Sequence, residues 1–167
     1  MTRTPTLLLD PPVRRRLLIA AAMLAAGVAG APGQAQAGEC PVGKRIADAT
    51  KPVDTAAKGV TDTVLASIDL ANEPAMVQDR KFRLRRLVIA PGGIVPWHSH
   101  ADRPALIYIV SGEVTEHASN CAVPIVHKAG DVAPEAHATA HWWKNTGRRP
   151  VTLISADLLK DESDRNM

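Results

Sequence analysis

The sequence predicts an all-β fold, a single small antiparallel barrel or sandwich, on three observations. Thirteen prolines and eleven glycines punctuate 167 residues, and turn signals of this density between short apolar runs favour strands over a helix bundle. Runs of alternating or β-branched residues recur at intervals of about ten residues, the spacing of small all-β domains. A hydrophobic content of 46% with 22% charged residues suits one globular core and excludes disordered and fibrous classes.

The chain is parsed as a cleaved signal peptide over residues 1–37, an N-terminal arm over 38–61, the β domain over 62–158 and a charged tail over 159–167. The first segment carries a basic stretch at Arg14, Arg15 and Arg16, an apolar run from Leu17 to Ala31, and Ala35-Gln36-Ala37. Small residues at the first and third of these positions fit a peptidase site, so cleavage is expected after Ala37. The apolar run is about 15 residues, short of the ~20 that span a bilayer, so no stable membrane span is expected. The arginine run also resembles a twin-arginine signal. Export to the periplasm or beyond is the expectation.

Removing residues 1–37 takes away Arg3, Arg14, Arg15, Arg16 and Asp10, leaving 16 basic and 16 acidic residues. A chain of such balance has no general electrostatic reason to bind nucleic acid. Cys40 and Cys121 both remain, and in an oxidising compartment an even pair is most simply one bridge. It would close a loop of about 80 residues, worth at most roughly 4–5 kcal/mol in the chain-entropy model.

Residues 38–62 show little periodicity and read as an extended arm or a short irregular helix. Strands are then expected at residues 64–70, 81–89, 105–110, 124–127 and 151–156, with a turn at Pro91-Gly92-Gly93. In the second run Arg83 and Arg85 alternate with Phe82 and Leu84, which reads as a solvated basic face over an apolar one. Tyr108, out of phase with Ile107 and Ile109, is expected on the outer side of the barrel. The tail from Lys160 is expected to fray.

Four of the six histidines fall in two groups. His98 and His100, two apart, point to one face of a strand with Cα atoms about 6.6 Å apart, close enough for one ion. His141 or His137 would complete a neutral three-imidazole set, which suits Fe, Mn, Ni, Cu or Zn. Glu135, the nearest carboxylate, either reaches inward or faces water, and water is the commoner fate of a loop glutamate. His117 and His127 are assigned to surface or edge positions. Trp97, Trp142 and Trp143 flank the histidines, and one of the adjacent pair must face away from His141.

Gly92-x5-His98-x-His100 followed by Gly112 resembles the first motif of the cupin superfamily. Gly130-Asp131, His141 and Asn145 are similar to its second. The resemblance covers residues 62–158 and implies a double-stranded β-helix, or jelly-roll, with His98, His100 and His141 on one divalent metal ion. It also implies a homodimer paired through an outer sheet, and a turn-closing role for Asn145. Ala105 stands where the family's metal-binding glutamate would, and Ala136 and Ala138 replace the second motif's proline and glycine. A three-histidine set without that glutamate resembles the thiol dioxygenase branch, which holds ferrous iron. His137 and Glu135 are then the candidates for acid–base or proton-carrying roles. Two functions stay open: a metal-dependent exported enzyme acting on a small molecule, and a non-catalytic module that binds a metal or a small ligand.

Overall fold

The structure is a computed structural model and describes residues 39–54, 56–136 and 139–160. The expected signal peptide, with its cleavage point after Ala37, lies outside the described residues, as do His137 and residues 161–167.

Among the described residues eight strands form the fold: β1 (Lys58–Asp69), β2 (Lys81–Ser99), β3 (Ala105–Ser111), β4 (Glu113–Ala118), β5 (Ile125–Lys128), β6 (Val132–Glu135), β7 (Ala140–Lys144) and β8 (Val151–Leu159). All pair antiparallel, in the order β5-β4-β7-β2-β8-β3-β6, with β1 on β2. The result is a nearly closed all-β barrel of jelly-roll type. A one-turn 3₁₀ helix at Leu70–Asn72, capped by the Asp69 carboxylate, joins β1 to β2.

The expected turn at Pro91-Gly92-Gly93 is a bend within one long strand. Residues 81–89 of β2 pair with β8, and residues 94–99 pair with β7. Gly93 makes the bend possible, because a Cβ there would lie 2.8 Å from the Ala90 carbonyl. Asn145 locks it from β7's end: its side chain donates to the Ile89 and Arg149 carbonyls and accepts from the Gly147 amide. That is the turn-closing role the sequence assigns it.

Inward positions follow the two-residue period of each strand. Leu87, Ile89, Val95, Ile107, Ile109, Val114, Trp143, Val151 and Leu153 build the core. Tyr108 faces out with Leu106 and Val110, as expected.

The expectation for Arg83 and Arg85 is overturned. They share parity with Leu87 and Ile89 and point inward, while Phe82 and Leu84 are exposed. Across the ladder, Arg83 lies opposite Asp157, Arg85 opposite Ser155 and Leu87 opposite Leu153. The inner face is therefore polar at one end of the barrel and apolar at the other. Arg83 grips Asp157 with two hydrogen bonds, 3.0 and 2.8 Å, and Arg85 reaches the same carboxylate at 3.0 Å and Asp62 of β1 at 2.5 Å. Arg85 and Asp157 are the two buried charges, and the half-buried Arg83 and the Asp62 carboxylate at the barrel edge complete the balance that lets them stay there.

Cys40 and Cys121 are bonded, with Cα atoms 5.7 Å apart and a sequence separation of 81. The bridge ties residues 39–54 to the β4–β5 turn, helped by the Arg45 to Cys121 backbone pairing.

Candidate metal centre

β2 and β7 place the site. His98 lies directly opposite His141 in their ladder, so the two rings leave the sheet on the same side. His100, two residues after His98, stays on that face as the chain leaves β2. The three Nε2 atoms form a triangle with sides of 3.1, 3.1 and 3.0 Å, and all three rings are buried.

Each ring's other nitrogen meets an oxygen. His98 Nδ1 lies 2.9 Å from the Pro96 carbonyl, His100 Nδ1 2.7 Å from the Arg103 carbonyl, and His141 Nδ1 2.7 Å from Glu116 Oε1. These acceptors assign the protons to Nδ1 and leave three Nε2 lone pairs facing one point. Trp143 Nε1 also sits 3.0 Å from His141 Nδ1. The carboxylate is the stronger acceptor and decides the tautomer.

Burial, followed by the charge of His141, lowers His98 to about 2, and the same causes in the same order lower His100 to about 4. Neutral imidazoles at neutral pH are the form that binds metals. An ion about 2.0–2.1 Å from each nitrogen is the usual fit for such donors, and atoms 3.0–3.1 Å apart allow it to touch all three. The residues present therefore fit a divalent metal.

Two expectations fail beside the triad. Glu135 does not face water: it is buried, with Oε1 3.4 Å from His141 Nδ1. It stands opposite Ala105 in the β3–β6 ladder, so both project to the same face. His127 is not a surface residue either. It is fully buried, its Nε2 is 2.7 Å from Glu116 Oε2, and its ring stacks on Trp143 at 4.6 Å with planes 4° apart. His117 is half-buried and stacks on Trp142, which faces away from His141 as its parity requires.

Glu116 was not singled out by sequence reasoning. Burial raises its carboxyl, but hydrogen bonds from His127 and His141 outweigh that and bring it down to about 2. Burial, and then the Glu116 charge, push Glu135 up to about 10, so it keeps its proton at neutral pH. The available signal was phase: Glu116 shares inward parity with Val114 and Ala118.

The Nε2 side opens on a cavity of about 20 Å³, room for about one water. Leu87, Val95, Ile107 and Leu153 make its wall apolar, and Arg85 and Ser155 are its polar members besides the histidines. Glu116 and Glu135 line a different cavity of about 150 Å³, beside Cys40 and Arg45.

Residues 85–157 match the family model for the cupin domain. That span of the chain carries a cupin domain. It is 32% identical over 76 residues to Nectarin-1 of Nicotiana plumbaginifolia, covering 44% of this chain and 33% of that protein. It is 30% identical over 76 residues to germin-like protein subfamily 2 member 2 of Arabidopsis thaliana, covering 44% and 35%. The chain thus matches about a third of the length of these relatives. Among solved structures it is similar to an uncharacterized Klebsiella pneumoniae protein with a double-stranded β-helix domain, at 19% identity, covering 68% of this chain and 85% of that one, TM-score 0.49. It is also similar to oxalate oxidase in complex with glycolate, at 21% identity, covering 62% and 52%, TM-score 0.47.

Proposed function

We propose that this is an exported cupin that holds one divalent metal ion, of Fe, Mn, Zn, Ni or Cu, on His98, His100 and His141. The observation that carries the reading is the triangle of buried Nε2 atoms 3.0–3.1 Å apart, each ring's opposite nitrogen tied to an oxygen. Three neutral donors leave coordination positions open toward the small apolar cavity, where a water or a single donor group of a small-molecule ligand would sit. A metal held there supplies Lewis acidity or, if iron, dioxygen chemistry on a small organic substrate.

A specific observation favours the non-catalytic reading, a metal- or small-ligand-binding module, over acid–base catalysis. Among the described residues the carboxylates near the triad sit behind His141, on its Nδ1 side, and line the other cavity. His137 stays a candidate proton carrier by its place in the motif. The disulfide supports a thiol-oxidising compartment, periplasmic or secreted. No helix among the described residues is long and apolar enough to cross a membrane.

Metal analysis of the untagged protein purified from its native compartment tests the reading. About one ion per chain is expected, lost in His98→Ala and His141→Ala. A metal-free wild type that takes up none of the five ions would overturn it. Retention of a full equivalent by both variants would overturn the ligand assignment. Oxygen uptake by the iron form with small organic thiols separates enzyme from binder.

A further inference from the structure

Of the three ligand candidates, only His141 has its Nδ1 held by a charged side chain; His98 and His100 use backbone carbonyls. The Glu116 carboxylate is divided between two rings, Oε1 on His141 and Oε2 on His127, each at 2.7 Å. Its side chain is 4% exposed. His127 is in turn pinned by its parallel stack on Trp143 and is fully buried, with an Nδ1 that has no hydrogen-bond partner among the described residues. A buried imidazole with one orphaned nitrogen calls for a reason to be there, and the grip of its other nitrogen on Glu116 supplies one.

The metal-binding reading, on which this rests, adds a second argument. Three neutral imidazoles bring no negative charge to a buried dication, and Ala105 offers no donor. Glu116 cannot reach the open face, because it stands on the far side of the His141 ring. It can act only through that ring, by holding its orientation and by placing a negative charge behind it.

We infer that Glu116 is a positioning residue of the metal centre: anchored by His127, its carboxylate fixes the His141 ring so that Nε2 faces the ion, and supplies the buried counter-charge that the ligand set lacks.

The test uses metal-free full-length mature protein titrated with Co²⁺ and Zn²⁺ by calorimetry, with the visible ligand-field spectrum recorded on the Co²⁺ form. Glu116→Gln keeps the shape and removes the charge. It is expected to weaken binding by about 10- to 100-fold and to shift the Co²⁺ bands, a readout that a purely structural role would not move. Glu113→Gln, on the exposed part of the same strand, serves as the control. Binding by Glu116→Gln within about threefold of wild type, with an unchanged spectrum, would overturn the inference while leaving the metal site intact. A wild type that binds neither ion would instead overturn the metal-binding reading and this role with it. Should Glu116→Gln fail to fold, His127→Gln decides: weaker binding supports the anchoring role, and wild-type affinity refutes it.

Discussion

At the scale of single residues, parity governs what this protein buries. The run from Lys81 to Ile89 switches its apolar parity at Arg85-Arg86, so reading Phe82 and Leu84 as the inner face picks the wrong phase. The ladder with β8 decides the matter by setting Asp157 opposite Arg83. Asp157 is then the shared anion of two guanidiniums, the half-buried Arg83 and the buried Arg85. Asp157→Ala would take the buried carboxylate away from the buried Arg85, and a loss of about 3–5 kcal/mol is expected, measured as a shift in the urea unfolding midpoint. Asp62 keeps one partner of Arg85 in that variant, so Asp62→Ala should cost less. The same parity logic explains which site residues were legible. His98, His100 and His141 announce themselves by spacing and by motif. Glu116 and His127 meet only because β4 pairs with both β5 and β7, and a lone glutamate on a strand carries no sign of a partner eleven residues away. Glu135 looked like a loop residue because the four-residue strand β6 around it contains Pro134.

At the scale of elements, the sheet depends on two fixed points. β4 and β7 had no strand signal of their own beyond the motif, yet they carry Glu116, His141 and Trp143. Short strands of four to six residues give too few alternations to read, and their partners on either side define them. Gly112 joins β3 to β4 with φ of 87°, and a Cβ there would lie 2.9 Å from the Pro150 carbonyl. Gly112→Ala should therefore destabilise the fold by more than about 1 kcal/mol, read by thermal unfolding. The Cys40–Cys121 bridge, legible as a pair of cysteines and confirmed as a bond, closes an 81-residue loop onto the β4–β5 turn. Its removal by Cys40→Ser with Cys121→Ser should cost about 2–5 kcal/mol. Unchanged stability would mean that the arm contributes nothing to holding β4.

At the scale of the whole molecule, the outer face of the β2–β8–β3–β6 region displays Phe82, Leu84, Leu106, Tyr108, Val110 and Val132, each at least 37% exposed. Exposed apolar residues on one face are the kind of surface that marks interaction sites, and the cupin resemblance implies a homodimer paired through an outer sheet. If that pairing holds, light scattering on the purified protein gives twice the chain mass and Leu106→Glu gives the monomer. The buried titrating groups set a second global property. In the metal-free protein His98 and His100 titrate well below 6.5, so the unfolded chain gains protons first and stability falls as pH drops through about 6.5. Glu135, raised to about 10, works the other way: the unfolded chain releases this proton above about 4.5 while the fold retains it, so stability also falls as pH rises. Below 6.5 the two histidines outweigh the one glutamate, and above it the glutamate acts alone. Thermal midpoints of the metal-free protein should peak near pH 6.5; a plateau from pH 5 to 9 would contradict these environments.

The central claim is that one ion sits among three particular nitrogens. Crystals of the metal-loaded protein, measured on both sides of the metal's absorption edge, test it most directly. The account predicts a single anomalous peak per chain, about 2.0–2.2 Å from Nε2 of His98, His100 and His141. A peak resting instead on Glu116 and Glu135, or no peak in the barrel after loading, would contradict it.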